Sequence, residues 1–327
     1  MSIRIVNPGA MTTVQDEGRF GYMDSGISES GAMDKYSYRK ANYLVGNKKD
    51  EAALEITLMG PELIFLSDTV FGYMGAEMEA TLDGEDVLRG RTYLAREGQT
   101  LKFGFAKNGI RAYLAFAGGI DVPVVLGSRS TNIKCSIGGF EGRKLQAGDV
   151  LEIGPSRYMN HGVNRLLKRR AAQKIYQSEI QVRVILGPQD DYFTENGLSD
   201  FLSGSYKVST DIDRMGIRLE GKNIEAKAPT DIVSDGITFG SIQITSSGMP
   251  IILMADHQTT GGYAKIATVV SEDLQYLAQA RPGDVIRFQK VDITDVQKWN
   301  YFDFLTSIYE SNPGLEMIYY PEAVHAR

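Results

Sequence analysis

The sequence points to a mainly β protein with few helices, on three observations. Its apolar runs are short, with strand-like alternation. Turn pairs recur between them: Asp83-Gly84, Glu97-Gly98, Asn108-Gly109, Gly148-Asp149, Ser247-Gly248 and Pro282-Gly283. Glycine is abundant, at 35 of 327 residues. Many short strands punctuated in this way need a sandwich or a barrel to bury one face and hide their edges. An apolar content of 43% is enough for two domains, each with its own core.

In chain order, Ile3–Val6, Leu63–Leu66, Leu101–Phe105, Ala112–Ala117, Val182–Leu186 and Ile251–Met254 read as strands. Asp34 is placed to cap a helix running through Val45 and closed by Gly46-Asn47, and Ser271 one over Glu272 to Ala280. Val296, Trp299, Phe302 and Leu305 form a stripe that predicts a C-terminal amphipathic helix. The polar, basic stretch between Gly154 and Glu179 reads as a helical linker. The expected division is therefore a β domain over 1–153, a linker over 154–178, a second β domain over 179–290 and a helical tail over 291–327. An echo crosses the linker: Leu145-Gln-Ala-Gly-Asp-Val-Leu-Glu-Ile153 resembles Ala280-Arg-Pro-Gly-Asp-Val-Ile-Arg-Phe288. Related domains explain it, and so does reuse of a common hairpin.

Net charge is −6, with acidic and basic residues interspersed. That leaves no footprint for nucleic acid and no membrane-binding face. Cys135 is the single cysteine, so an intrachain disulfide and a cysteine-based zinc site are excluded. With no signal-peptide pattern at the N-terminus, the expected location is the cytoplasm. Three scattered histidines predict no metal site. The sequence contains no Gly-x-Ser-x-Gly elbow, no P-loop, and no Gly-x-Gly-x-x-Gly that follows a strand and opens a helix.

Four motifs concentrate polar chemistry. Asp256-His-Gln-Thr-Thr-Gly-Gly-Tyr-Ala-Lys265 carries seven polar side chains around a Gly-Gly pair, just after the apolar run Pro250–Met254. A polar turn at the end of a buried strand is how a scaffold presents groups to a ligand. Gln15-Asp-Glu-Gly-Arg-Phe-Gly21 places Arg19 between glycines, with Asp16 able to orient the guanidinium in a bidentate contact. Arg19 is then either a ligand group or half of an internal brace. Gly127-Ser-Arg-Ser-Thr131 sets Arg129 among hydroxyls and backbone N–H groups, either as an anion site or as a structural loop. Asp213-Arg-Met-Gly216 repeats the Arg19 pattern with Arg214. In Gly240-Ser-Ile-Gln243, Gln243 faces the opposite side from Ile242 and Ile244.

These motifs, with Gly31-Ala-Met-Asp34, Ala41-Asn42 and Glu55, occur in an order that resembles the biotin-dependent carboxyltransferase family, also called allophanate hydrolase subunit 2. The resemblance covers about residues 3 to 290. It implies two cyclophilin-like β-barrel domains. It implies one component of an ATP-dependent 5-oxoprolinase (the KipA-like group), which opens 5-oxo-L-proline to L-glutamate and is inactive alone. The implied partners are two further subunits, a smaller KipI-like one and a LamB/YcsF-like one, with ATP used by the complex. Two alternatives follow from the same family. One is the carboxyltransferase component of a urea- or allophanate-type carboxylase, with biotin arriving on another protein. The other is a binding protein that counteracts an inhibitor of a kinase. The expected pocket is lined by Gln258, Thr259, Thr260, Tyr263 and Lys265, with Arg214 and Gln243 from neighbouring segments. Lys265 is the leading catalytic candidate, with His257 and Thr260 beside it. Arg19, Asp34 and Arg129 are expected to bind substrate from the N-terminal domain.

Overall fold

The structure, a computed structural model, describes residues 1–156, 163–171 and 174–298. Met1–Gln289 forms one compact unit and Lys290–Arg327 a second. The larger unit is built on two main sheets. The first has nine strands and runs, in spatial order, Met11–Gln15, Ala53–Thr57, Thr100–Phe116, Glu62–Phe65, Ser2–Asn7 and Val150–Glu152. The long strand Thr69–Leu82 joins it by pairing with Thr100–Phe116. The second is a closed barrel of Glu179–Leu186, Lys265–Val269, Ser241–Ile244, Pro250–Leu253, Gly216–Glu220, Tyr206–Ile212 and Val285–Lys290. A two-stranded ribbon pairs Asp231–Gly236 with Thr260–Tyr263. The mainly β reading thus holds, as a half-barrel and a barrel.

Each main sheet closes over its own core. Ile3, Leu54, Phe65, Phe71, Leu101 and Phe116 fill the half-barrel. Val182, Phe201, Tyr206, Ile217, Ile242, Ile266 and Phe288 fill the barrel. The helix Lys35–Val45 starts where the sequence places it, because the Asp34 carboxylate accepts from Ser37 N–H at 2.9 Å. It ends at Gly46 in the left-handed conformation and buries Tyr38, Ala41, Leu44 and Val45 against the half-barrel.

Two sequence expectations are corrected. Leu101–Phe105 and Ala112–Ala117 are not separate strands but one, Thr100–Phe116, running straight through Asn108-Gly109. Gly109 has φ +75, yet the chain absorbs it as an irregularity in the ladder instead of turning back. The Asn108 side chain bonds the Tyr176 backbone at both its N–H and its carbonyl, which fixes the kink from outside the strand. The helix expected over Glu272–Ala280 is a 3-10 turn, Ser271–Asp273, followed by one α turn, Leu274–Leu277. The Ser271 side chain caps nothing, and the Asp273 carboxylate is taken by Arg183 at 2.6 and 2.9 Å. Within 154–178 the described helix is the single turn Val163–Leu166. The stripe from Trp299 onward lies outside the described residues. Among the described residues no helix is long and apolar enough to cross a membrane.

The echoed turns are equivalent in space. Gly148 N–H donates to Ile5 O and Ile5 N–H to Asp149 O, both at 2.8 Å; Gly283 N–H donates to Val208 O and Val208 N–H to Asp284 O, again at 2.8 Å. Each aspartate also accepts from the residue three before it, Gln146 N–H or Arg281 N–H, at 2.8 Å. The twins differ in one partner. Arg143 forks onto Asp149 at 2.7 and 2.9 Å, whereas Arg281 spends its guanidinium on the carbonyls of Gly109 and Ala106. Burial raises both carboxyls, but at Asp149 the Arg143 hydrogen bonds, the Gln146 N–H and the Arg143 charge together outweigh it and hold the group below its ordinary value, while Asp284 stays above. A lowered acid stabilises the fold above its unfolded pKa and loses that contribution as pH falls; a raised acid does the reverse. Asp149→Asn is therefore expected to cost about 1.5–3 kcal/mol at neutral pH, the scale of a charge-assisted hydrogen bond. That cost should shrink as pH falls below about 4, the unfolded value for aspartate, and vanish only once pH is below the lower folded value. Asp284→Asn should show no such loss toward acid. Urea melts of both variants from pH 2.5 to 7 check this, and parallel pH profiles would refute it.

Candidate functional site

A cleft of ≈ 380 Å³ opens where segments from both halves of the chain meet. One wall is Gly26, Ser28, Asn132, Lys134 and Cys135; the other is Met215 and Asp256–Thr260. Its size falls at the small end of the roughly 300–1,000 Å³ of small-molecule sites.

The first wall is set from below. Asp16 is buried and accepts from Gly18 N–H at 2.9 Å, Ser128 Oγ at 2.7 Å, Arg129 N–H at 2.5 Å and the Ser130 hydroxyl. Those bonds pin the loop that leads into Asn132. The Asn132 amide then donates to Ser28 Oγ at 2.8 Å and Ser30 Oγ at 3.1 Å, while its oxygen accepts from Cys135 N–H at 3.0 Å. Asn132 and Ile137 exchange both backbone bonds, so the short loop between them holds Lys134 and Cys135 out at the cleft.

The second wall hangs from Arg214. Its guanidinium donates to Asp256 at 2.8 and 3.0 Å, to Glu55 at 2.6 Å and to Gly31 O at 2.7 Å. Glu55 in turn accepts from Met33 N–H at 2.9 Å and Tyr113 Oη at 2.7 Å. Burial pulls the Arg214 guanidinium down, but Asp256 and Glu55 outweigh it and hold it above its ordinary value. Burial, and then the Glu55 charge, push the Tyr113 phenol well up, so it stays a donor. Ser30 N–H also donates to Ala255 O at 3.1 Å, directly tying the two walls.

The structure separates the residues expected to share one pocket. His257, Gln258, Thr259 and Thr260 line the cleft. Tyr263, Gln243, Lys265 and Arg214 are absent from its lining. From Thr260 the chain enters the ribbon, and Gly236 pairs with Thr260 and Asp231 with Tyr263. Gln243 Nε2 donates to Tyr263 O at 3.1 Å, a brace between barrel and ribbon. Lys265 is buried, pairs with Asp235 and donates to Gly236 O at 2.8 Å. The Lys265 bond holds the Asp235 carboxyl below its ordinary value.

In the N-terminal half, Arg19 is fully buried and makes no hydrogen bond to Asp16. It donates instead to the carbonyls of Val125 at 3.0 Å and Ser130 at 2.9 Å, because Asp16 is already occupied by the serines. Arg129 donates from its backbone to Asp16 and from Nε to Val122 O at 3.2 Å. Asp34 caps its helix and also accepts from Gln279 Nε2 at 2.8 Å; burial raises its carboxyl despite these bonds.

The sequence reading omitted Ser28, Asn132, Lys134 and Cys135, which no motif marked as a group. It also omitted Asp256 and Glu55 from the site. Glu55 did carry a signal: a carboxylate amid Leu54, Ile56 and Thr57 in an apolar strand needs a buried cation. Among the described residues no group of three or more metal-binding side chains comes together.

The family model for the carboxyltransferase domain, subdomain A and B, matches residues 25–290. The chain belongs to this family. It is 39% identical over 299 residues to the C subunit of 5-oxoprolinase from Escherichia coli, covering 90% of this chain and 93% of that one. It is 39% identical over 298 residues to the protein of the same name from Haemophilus influenzae, with 90% and 93% covered. The crystal structure of K. lactis urea amidolyase superposes with a TM-score of 0.85 at 31% identity; the match spans 97% of this chain and 20% of that one. In this carboxyltransferase-family chain, residues 25–290 take in the second wall, the loop Asn132–Cys135 and the Arg214 clamp that joins them.

Proposed function

We propose that this chain is the C subunit of an ATP-dependent 5-oxoprolinase, in which 5-oxo-L-proline is opened to L-glutamate. The observation that carries the reading is the end-to-end match to relatives bearing that name, 90% of this chain on 93% of theirs. The cleft agrees in chemistry. Its lining offers the hydroxyls of Ser28, Thr259 and Thr260 and the amide of Gln258 to a small, polar lactam ring. Lys134 is the single ammonium in that lining, one charge for the one carboxylate that the ring carries, and Asp256 is already committed to Arg214. A lining with one ammonium offers little charge to a triphosphate, and the sequence contains no P-loop. ATP is accordingly assigned to the complex assembled with two partners, a smaller KipI-like subunit together with a LamB/YcsF-like one.

A second reading, carboxyltransfer from a biotin carried by another protein, is favoured by the family match and by the fit to urea amidolyase. The ureido ring of biotin is neutral and suits the same hydroxyls and amide, with Gln258, Thr259 and Thr260 the residues that would hold it. Carboxybiotin would supply the activated carboxyl group.

Co-expression with the two partner subunits, followed by a glutamate assay on 5-oxoproline, tests the first reading. Glutamate is expected only with ATP and only from the assembly. Turnover by the chain alone would overturn the shared-complex part of the reading. An assembly that leaves 5-oxoproline intact but carboxylates urea, given a biotin carboxylase and its carrier, would replace the first reading with the second.

A further inference from the structure

We infer that His257 Nε2 is the hydrogen-bond acceptor in this cleft for a ligand N–H of the lactam or cyclic-urea class. The inference rests on the reading of the cleft as a small-amide site. His257 Nδ1 lies 2.6 Å from the carbonyl oxygen of Gln258. A carbonyl only accepts, so Nδ1 carries the proton and the neutral ring leaves a bare lone pair on Nε2. That nitrogen is buried and has no hydrogen-bond partner among the described residues. A buried polar atom left unpaired is costly, and folds keep one where a ligand or water completes it.

His257 lines the cleft wall, its backbone is fixed, and Nδ1 is tied to Gln258 O. The His257 backbone N–H donates to Met254 O at 3.0 Å, and the neighbouring Asp256 is gripped by Arg214 at 2.8 and 3.0 Å. Nε2 is shut off from solvent in this conformation, while Gln258 and Thr260 in the same lining are exposed residues whose side chains change rotamer readily.

The rest of the lining explains why the ligand should present N–H and C=O side by side. The Asn132 amide is consumed by Ser28 and Ser30, and the Asp256 carboxylate by Arg214. The hydroxyls of Thr259 and Thr260 and the amide of Gln258 remain for a ligand and can donate to a carbonyl oxygen, although each can also accept. His257 Nε2 adds a buried acceptor that, with the proton on Nδ1, cannot donate. A lactam or cyclic urea has its N–H and C=O on the same edge of the ring, matching an acceptor next to donors. A lone carboxylate or an N-alkylated ring leaves Nε2 unpaired.

The test uses the full chain labelled with ¹⁵N-histidine, with the His257 ring nitrogens followed by long-range proton–nitrogen correlation. Without ligand, the Nδ1–H tautomer is expected. 5-Oxo-L-proline and 2-imidazolidinone should each move the Nε2 resonance upfield. N-methyl-5-oxoproline should leave it in place and bind about 10-fold more weakly or worse, the equivalent of one lost neutral hydrogen bond. His257→Asn keeps a donor where Nδ1 stood and nothing where Nε2 stood; it should retain the wild-type spectral fingerprint and lose the preference for N–H over N-methyl. An Nε2 resonance unmoved by saturating 5-oxoproline and imidazolidinone overturns the inference, as does equal binding of the N-methyl ring. Glutamate release by the co-assembled complex separates this from the functional reading. Normal KM for 5-oxoproline with His257→Asn sinks the acceptor and leaves the oxoprolinase. No ring opening by wild type, with Nε2 still responding to imidazolidinone, sinks the oxoprolinase and leaves the acceptor.

Discussion

Arg214→Met is expected to destabilise the protein by about 3–5 kcal/mol, the cost of removing one partner from a buried ionic group. Glu55 is 1% exposed and Asp256 8%, so the substitution strands one carboxylate away from water and a second at the edge of the cleft with little access to it. It also frees the Gly31 carbonyl. Arg214→Lys keeps the charge but not the fork, and a single ammonium does not serve Asp256, Glu55 and Gly31 in their present positions. An intermediate loss is therefore expected. Adding Glu55→Gln to Arg214→Met should recover part of the stability. Glutamine is uncharged and its oxygen still accepts from Met33 N–H and Tyr113 Oη. Urea unfolding of the three variants measures this. A loss under about 1 kcal/mol for Arg214→Met, the value of an exposed pair, would show that the clamp is decorative. Amide hydrogen exchange at Asp256–Gln258 should rise in Arg214→Met even below the unfolding range, because the Asp256 carboxylate loses both of its bonds and only the backbone N–H to the carbonyl of residue 214 remains.

Gly31→Ala is expected to cost about 2–5 kcal/mol. Gly31 has φ +84, where a side chain is strained, and a Cβ there would sit 2.8 Å from Gly18 Cα and 2.9 Å from the Glu17 carbonyl. Both obstacles are backbone, so no rotamer change relieves them. Two motif glycines, one from each N-terminal segment, are thus explained by a single crossing. Gly21→Ala is the control. Gly21 has φ +90 with nothing within 4 Å of its Cβ, so it carries only the conformational penalty. Similar denaturation midpoints for the two variants would mean that the crossing has room to yield.

The strands were legible because their apolar alternation survives in the packed sheets: Ser2–Asn7 and Val285–Lys290 show the same inside-outside pattern. The helix at Lys35 was legible because capping is local chemistry. Asn108-Gly109 misled because a glycine with positive φ makes either a turn or a bulge, and the choice is made by Tyr176, far along the chain. The candidate site was legible at His257–Thr260, where polar density was high. Lys265 and Gln243 misled because proximity in sequence does not survive a strand that leaves for a ribbon. Arg19 was placed beside Asp16 by its motif, but two serines from beyond residue 127 claim that carboxylate first. Asn132 to Cys135 has no periodicity and no motif, and its place depends on Ser28 and Ser30, about a hundred residues upstream.

The clamp also bears on how this chain can be inherited. Glu55 belongs to one sheet, and Arg214 and Asp256 are supplied from the other's side. A gene severed between Gly154 and Glu179 would leave each fragment with half a cleft, and would part Glu55 from its guanidinium while Arg214 kept only Asp256. Recombination can therefore move the whole stretch as a cassette, into a longer polypeptide such as urea amidolyase or out of one, but it meets a penalty when it tries to trade one half.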